Sequence, residues 1–172
     1  MRLFIAICLS DRMKDALIEA QNKMYDGGVR GNFSPEENLH LTLAFIGEAP
    51  DAEPVLDALE EVCFTPFELT LEGLGCFGDL RWAGLRDSAP LEAVARRLRR
   101  ALAEHDILFD RKRFSPHITL IRRASGPMAG VELKAETMTV TAISLMRSDR
   151  GRSGMIYTEI GRKEAWDAPG EG

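Results

Sequence analysis

The sequence is poor in cysteine and has no long hydrophobic run. Its 172 residues include only three cysteines, without a CxxC pair or a cysteine–histidine spacing suited to zinc. A disulfide framework and a zinc ribbon are therefore disfavoured, and Cys8, Cys63 and Cys76 are expected to be buried apolar residues. The apolar run at residues 3–9 is too short to cross a membrane, so we interpret it as a strand and expect a cytoplasmic protein.

An overall positive charge is also missing, because the net charge is −5. The chain as a whole has no attraction for nucleic acid, and it carries neither a Gly-rich phosphate loop nor a nucleophile elbow. The charges are nevertheless segregated, with acidic residues gathered at positions 48–72. Basic residues crowd the second half: Arg96, Arg97, Arg99, Arg100, Arg111, Lys112, Arg113, Arg122 and Arg123. This basic sector is compatible with a phosphate ligand, although arginines on a helix more often form a solvated face.

What the sequence does contain is one short pattern that occurs twice. His40 and Thr42 lie in the run NLHLTLAFIG, and His117 and Thr119 lie in SPHITLIRR. Alternate side chains of a strand point to the same face, so each His-x-Thr pair shares a face opposite apolar residues. The two copies are separated by nearly half the chain. This arrangement predicts two similar lobes that face each other across a cleft.

Hydrophobic periodicity outlines the remaining elements. Helices are predicted from residue 11 to 25, from 51 to 62 and from 90 to 104. Strands are predicted over residues 2–9, 29–33, 38–47, 67–77, 80–86, 115–123, 136–148 and 155–162. The segment 126–130 and the tail after Lys163 are expected to be irregular. Strands and helices mix without strict alternation, which favours an α+β fold with antiparallel sheets.

The repeated pair suits chemistry at phosphorus. Histidine ionises near neutrality, so two imidazoles can serve as general base and general acid in one step, while threonine hydroxyls bind phosphate oxygens. A single histidine on an apolar strand is more often a hydrogen-bonded core residue. With two such strands, however, two histidines and two threonines all need hydrogen-bond partners. Each buried polar group without a partner destabilises the fold by about 1–3 kcal/mol. An anion bound by all four side chains would avoid this loss.

Two other histidine roles fit less well. A metal site is not expected, because histidine and threonine form a poor ligand set and no carboxylate or cysteine has matching spacing. The third histidine, His105, ends a helical stripe, where a histidinium suits the helix dipole, and we do not assign it to a site.

Over nearly its whole length the chain resembles the 2H phosphoesterase superfamily. The tandem HLTL and HITL motifs, the start RLFIAI, and the blocks ENLHLTLAFIGE and FSPHITLIRR are most similar to RNA 2',3'-cyclic phosphodiesterases, formerly called 2'-5' RNA ligases. The resemblance implies one bilobed domain over residues 1–172. Its two antiparallel sheets, with outer helices, would be related by a pseudo-two-fold axis, and strands 40–43 and 117–120 would line a central groove.

The resemblance also implies an activity and roles for residues. It implies hydrolysis of an RNA 2',3'-cyclic phosphate to a 2'-phosphomonoester without a metal or other cofactor. On this pattern His40 donates a proton to the leaving 3' oxygen, His117 activates water, and Thr42 and Thr119 bind the phosphate. Arg122 would add charge to the phosphate site. By strict alternation it faces away from Thr119, so a bend or twist of the strand would be needed.

Base recognition departs from the family pattern. Many relatives have a tryptophan before the first motif, whereas here the nearest aromatic residue is Phe33. Phe33, Phe77 and Trp82 are candidates for stacking on a base, although each fits a core position equally well. Ser148 and Tyr157 match a serine and a tyrosine that are frequent near the end of family members, and they are candidates for lining the groove.

Several functions remain open at this stage. The substrate could be a small nucleotide, such as the cyclic phosphate of ADP-ribose, instead of an RNA end. The same chemistry in reverse would join RNA through a 2'-5' bond. Alternatively, the chain could bind RNA ends without catalysis. No membrane or obligate protein partner is predicted, and we expect a monomer.

Overall fold

The computed structural model describes residues 1–127 and 130–166, in which two antiparallel sheets are combined with three α-helices. The elements in chain order are β1 (Arg2–Cys8), α1 (Asp11–Asp26), β2 (Arg30–Phe33), a 3-10 turn (Glu36–Asn38), β3 (His40–Glu48), α2 (Glu53–Glu60), β4 (Phe67–Phe77), β5 (Leu80–Leu85), α3 (Ala89–Glu104), β6 (Ile118–Ser125), β7 (Thr137–Val140), β8 (Ala142–Gly151) and β9 (Gly154–Glu164). The predicted α+β class is confirmed.

Each sheet contains one of the two motif strands. The first sheet has the strand order β3-β1-β8-β9, and the second has the order β2-β6-β5-β4-β7. Every pair of neighbours is antiparallel. The first motif therefore lies on an edge strand, β3, whereas the second lies on β6, which has a neighbour on both sides.

The helices connect the two sheets in a crossed manner. Helix α1 follows β1 of the first sheet but packs on β6 and β7 of the second. Helix α3 follows β5 of the second sheet but packs mainly on β3 of the first, with a smaller contact to β4. Both helices begin at a serine whose hydroxyl accepts a backbone N–H, Ser10 from Met13 and Ser88 from Leu91, each at 3.2 Å. Their buried stripes, which include Leu17 and Leu98, complete one continuous apolar core. Each motif strand is thus covered by a helix that arises from the opposite sheet.

The prediction of one strand over residues 136–148 is wrong. The chain leaves the second sheet after β7, which pairs with β4, and enters the first sheet as β8, which pairs with β1 and β9. The break falls at Thr141, whose carbonyl accepts a hydrogen bond from the Ala165 N–H at 2.7 Å. Both halves are rich in β-forming residues, so periodicity alone does not mark the point where a strand changes sheets.

The tail remains ordered beyond Lys163, contrary to the expectation of fraying there. Strand β9 runs to Glu164, and the Trp166 N–H donates to the Phe64 carbonyl at 2.7 Å. The rest of the expected irregular tail, residues 167–172, lies outside the described residues, as do residues 128 and 129 of the segment 126–130. None of the described helices is long and apolar enough to cross a bilayer.

The prediction that the cysteines are buried is also wrong, because Cys8, Cys63 and Cys76 are all exposed. Cys8 ends β1 opposite His40, on the polar face of the first sheet. Cys76 lies near the exposed end of β4, and Cys63 follows α2 outside the core. Each position is at the end of an element, where the apolar character of the side chain does not decide its burial.

Candidate active site

A groove of about 870 Å³ lies between the two motif strands and contains both repeated pairs. His40 and Thr42 line it from β3, and His117 and Thr119 line it from the segment that leads into β6. All four side chains are half-buried. Period-two alternation explains this placement, because the intervening Leu41 and Ile118 are fully buried on the opposite faces of their strands. Two segments far apart in the sequence thus present the same polar pair to one cavity.

Backbone hydrogen bonds fix the same tautomer in both histidines. The Nδ1–H of His40 donates to the Asn38 carbonyl at 2.7 Å, and the Nδ1–H of His117 donates to the Ser115 carbonyl at 2.7 Å. A carbonyl oxygen only accepts, so the proton lies on Nδ1 and the neutral ring keeps its lone pair on Nε2. The Thr42 hydroxyl donates to Nε2 of His40 at 2.8 Å. Both rings are thereby oriented to exchange protons through Nε2.

Burial lowers the pKa of His40 below its ordinary value. The hydrogen bond to the Asn38 carbonyl opposes this shift by favouring the charged ring, whereas the positive charge of Arg122, and that of His117 when it is protonated, lower the pKa of His40 further. Arg122 and His117 line the same groove as His40. A bound anion would offset both positive charges, so phosphate binding and protonation of His40 should favour each other.

The lowered pKa predicts a loss of stability in mild acid. Below about pH 6.5 the unfolded chain protonates His40 while the folded chain resists, so the unfolded state binds more protons. The free energy of unfolding should therefore decrease as the pH falls from about 7.5 to about 5.5, and less so in His40→Gln. A difference of about 1 kcal/mol moves Tm by about 2–4 °C in a chain of this size, which thermal melts at the two pH values resolve. Equal decreases in both proteins would contradict the prediction.

A β-bulge in each motif strand follows the threonine. In β6, Thr119 pairs with Trp82 and Ile121 pairs with Arg81, which leaves Leu120 as an extra residue. The extra residue resets the alternation, so Leu120 and Ile121 are both buried and Arg122 lines the groove. This bulge is the strand distortion that the position of Arg122 required. In β3 the extra residue is Leu43, and the position that corresponds to Arg122 is Phe45, which also lines the groove.

Polar side chains from the covering helices hold the two bulges. Nε2 of Gln21, on α1, donates to the carbonyls of Leu120 at 2.9 Å and Ser34 at 3.0 Å. A guanidinium nitrogen of Arg99, on α3, donates to the Leu43 carbonyl at 3.5 Å. Sequence reasoning missed Gln21, and it placed Arg99 in a basic sector in which helical arginines more often form a solvated face. The available signal was a polar residue on the apolar stripe of an amphipathic helix, because Gln21 is buried and Arg99 half-buried.

Aromatic rings pack against both histidines. The His40 ring lies 5.0 Å from Phe4 and 5.3 Å from Tyr157, measured between ring centroids, and the His117 ring lies 5.4 Å from Phe77. Together with the backbone hydrogen bonds, these contacts restrict the orientation of both imidazoles. Phe4, Ala6 and Cys8 alternate along the apolar strand β1. Nothing in the sequence therefore indicated that Phe4 contacts His40 in addition to being part of an apolar strand.

The other candidate residues are distributed in and around the groove. Ser148 and Tyr157 line it, and they pair with each other across β8 and β9. Trp82 is not among the lining residues: its ring lies 6.4 Å from His117 and against Gly75, where any side-chain carbon would collide with it. Phe33 packs on the core and on Tyr25 instead of facing the groove. His105 ends α3 and pairs with Glu61 at 3.0 Å, outside the groove.

Two antiparallel sheets that each contribute a His-x-Thr pair to one groove define the two-histidine phosphoesterase class. Within the described ranges, no group of three His, Cys, Asp or Glu side chains is arranged to hold a metal ion. The family model of the 2'-5' RNA ligase superfamily matches residues 20–152, and the chain belongs to this family. The resemblance drawn from the paired motifs is thereby confirmed.

Relatives with curated descriptions match most of the chain. It is 34% identical to the RNA 2',3'-cyclic phosphodiesterase of Thermus thermophilus, over 99% of this chain and 98% of that protein. Identity to the protein of the same name from Escherichia coli is 32%, over 94% of each. A third protein of this name, from Geobacillus stearothermophilus, is 32% identical over 72% of this chain, and the match spans 42% of its own length.

Solved structures show the same fold. The crystal structure of TT0787 from Thermus thermophilus superposes with a TM-score of 0.82 and 31% identity, over 95% of this chain and 97% of that one. Escherichia coli LigT complexed with 3'-AMP superposes with a TM-score of 0.79 and 30% identity, over 96% and 98% of the two chains. The two-sheet architecture expected from the resemblance is confirmed.

Proposed function

We propose that this chain hydrolyses 2',3'-cyclic phosphates at RNA ends to 2'-phosphomonoesters, using His40 and His117 as its acid and base. The main supporting observation is that both imidazoles line one groove, each with Nδ1–H held by a backbone carbonyl, so that Nε2 is the nitrogen that would transfer protons. In His40 this nitrogen accepts a hydrogen bond from the Thr42 hydroxyl in the free protein. The names of the relatives support the same substrate class.

In the proposed reaction each histidine transfers one proton: His117 accepts one and His40 donates one. Nε2 of neutral His117 accepts a proton from water as the water oxygen forms a bond to phosphorus. The bond from phosphorus to the 3' oxygen breaks on the opposite side, and the imidazolium of His40 donates its Nε2 proton to that oxygen. The products are a 2'-phosphomonoester and a free 3' hydroxyl. Exchange of protons with solvent then returns both rings to their starting states.

Thr42, Thr119 and Arg122 are proposed to bind the non-bridging phosphate oxygens. Charge on these oxygens increases in the transition state, so donors already aimed at them stabilise it more than the ground state. Arg122 adds a full positive charge through a planar group that can donate two parallel hydrogen bonds. In the free protein the Thr42 hydroxyl donates to His40, and we propose that it turns to the phosphate when His40 is protonated.

A direct assay tests the proposed function. The protein is incubated in EDTA with an oligoribonucleotide that ends in a 2',3'-cyclic phosphate, and the product is identified by mass spectrometry and by its susceptibility to a 3'-specific phosphatase. We expect turnover that EDTA does not reduce, with the phosphate retained on the 2' oxygen. Absence of turnover, turnover only after a metal is added, or a 3'-phosphate product would contradict the proposal.

A small nucleotide is the second candidate substrate. Escherichia coli LigT has been crystallised with 3'-AMP, so a relative of this chain accommodates a mononucleotide.

Joining of RNA through a 2'-5' bond is the same reaction in reverse, and the high concentration of water favours hydrolysis. Variants of His40 and His117 distinguish an enzyme from a protein that only binds RNA ends. In a binding protein these variants would lose affinity for the RNA end, and neither they nor the wild type would show turnover.

A further inference from the structure

A basic loop, residues 110–115, forms one wall of the groove immediately before His117. Lys112 and Arg113 line the same cavity as the two histidines, and both are exposed. Neither side chain makes an ion pair or a hydrogen bond with the part of the chain that the structure describes. Asp110, which also lines the groove, accepts the Lys112 backbone N–H at 3.0 Å and is the loop's own counter-charge. Of the three cations in this loop, two line the groove together with one carboxylate, in a chain whose net charge is −5.

The loop is held in place before any ligand arrives. The Asp110 N–H donates to the Phe45 carbonyl at 2.8 Å, which attaches the loop to β3 beyond its bulge. A guanidinium nitrogen of Arg99 donates to the Lys112 carbonyl at 2.7 Å, and Nε of Arg99 is buried without a partner among the described residues. The Arg99 guanidinium also lies 5.8 Å from the centre of the Phe114 ring. A fixed loop loses little conformational entropy when it binds, which favours a built binding site over a mobile charged segment.

An exposed aromatic ring lines the same groove as these cations. The Phe45 side chain is 52% exposed although it lines the groove, and its own carbonyl holds the basic loop. Exposed apolar rings next to cations are the combination that proteins use for single-stranded nucleic acid, where bases stack on the ring and phosphates contact the cations. A free mononucleotide has its phosphate between the histidines and no second phosphate for Lys112 and Arg113.

We propose that Lys112 and Arg113 bind the internucleotide phosphate on the 5' side of the terminal nucleotide, so that the preferred substrate is an RNA strand. The proposal rests on the proposed function, because it places the terminal cyclic phosphate between the two histidines. It goes further by selecting an RNA strand over a small cyclic nucleotide. The internucleotide linkage carries one negative charge, which the two cations neutralise at a position removed from the reacting phosphorus.

Three substrates separate this contact from the chemistry. They are adenosine 2',3'-cyclic phosphate, the dinucleotide ApA with the same cyclic end, and that dinucleotide with an uncharged methylphosphonate linkage. In the wild-type protein we expect kcat/KM for the charged dinucleotide to exceed that for the mononucleotide by about tenfold, which corresponds to one charge-assisted contact. The methylphosphonate dinucleotide should lose most of this advantage, and the advantage of the charged dinucleotide should decrease with added salt.

Variants identify the cations. In the double variant Lys112→Ala/Arg113→Ala, the ratio of kcat/KM between charged and uncharged dinucleotides should fall to about one. Arg111→Ala is the matched control, because Arg111 belongs to the same loop, is exposed and packs on Phe109, 4.7 Å from the ring centre, outside the groove lining. It should retain the wild-type ratio. An equal ratio in wild type and double variant, or an equal loss in the Arg111 control, would overturn the proposal.

The outcomes distinguish this proposal from the proposed function. If none of the three substrates is hydrolysed, the proposed function fails. In that case, calorimetry measures the affinity of the protein for two forms of ApA 2'-phosphate, one with a charged and one with an uncharged linkage. This comparison tests the contact of Lys112 and Arg113 with the linkage independently of catalysis. Tighter binding of the charged dinucleotide that disappears in the double variant supports the site, and equal binding overturns it. If the cyclic dinucleotides are hydrolysed with equal kcat/KM, the function stands and the Lys112–Arg113 contact fails.

Discussion

His117→Ala is expected to lower kcat on a cyclic-phosphate oligonucleotide by about 10²- to 10⁴-fold, because the variant has no group to accept the proton from the attacking water. Its affinity for the product should change much less, since the threonines and Arg122 still face the phosphate. The measurement is kcat under saturating substrate, with a thermal melt to verify folding. His105→Ala is the matched control, because it removes a histidine that lies outside the groove. A comparable loss of kcat in both variants would contradict the assigned role.

His40→Ala should cause a loss of similar size, and the leaving group separates the two roles. A cyclic substrate with sulfur in place of the 3' oxygen has a thiolate leaving group, which departs without needing a proton. His40→Ala should therefore recover most of its rate on this substrate, whereas His117→Ala should not. The lowered pKa of His40 makes the test informative, because burial disfavours the protonated ring that the proposed acid requires. If His117→Ala recovered its rate instead, His117 would be the acid and His40 the base.

Arg122→Ala is expected to lower kcat by about 10²- to 10³-fold, the size of effect seen when one donor to a developing oxyanion is removed. Arg122→Lys should restore only part of the rate, because an ammonium lacks the planar pair of donors. Steady-state kinetics on the cyclic oligonucleotide measures both variants.

The next residue provides the control for Arg122. Arg123 carries the same charge but is absent from the groove lining and has a left-handed backbone with φ of 52°, which asparagine tolerates. Arg123→Asn should therefore leave kcat within about threefold of the wild-type value, as surface substitutions away from a site usually have small effects. A similar loss in both variants would show that general positive charge, and not the aim of Arg122, supports the reaction.

Period-two alternation was sufficient to predict which faces of the motif strands carry His40, Thr42, His117 and Thr119. It failed at Arg122, because a bulge adds one residue and shifts every later side chain to the other face. A bulge depends on the carbonyls and helices around it, here Gln21 and its hydrogen bonds, and these contacts are not visible in a local pattern. The paired motifs therefore predicted the placement of these four side chains better than the course of the strand around them.

The remaining errors have a related cause. The run 136–148 has β-forming residues throughout, yet the chain changes sheets at Thr141, because β7 pairs with β4 and β8 pairs with β1, both far away in the sequence. The cysteines have apolar character, but their positions at the ends of elements expose them. Local composition predicted the type of most elements, whereas long-range pairing decided their boundaries and neighbours.

The crossed helices have a consequence for biosynthesis. When β1, α1 and β3 leave the ribosome, α1 has no β6 to cover, and β1 lacks β8 on its free edge. The second sheet is complete only after β7 has been translated, and the first only after β8 and β9. We therefore expect cotranslational folding of the first sheet to wait for β8 and β9, with the edge of β1 unpaired until then.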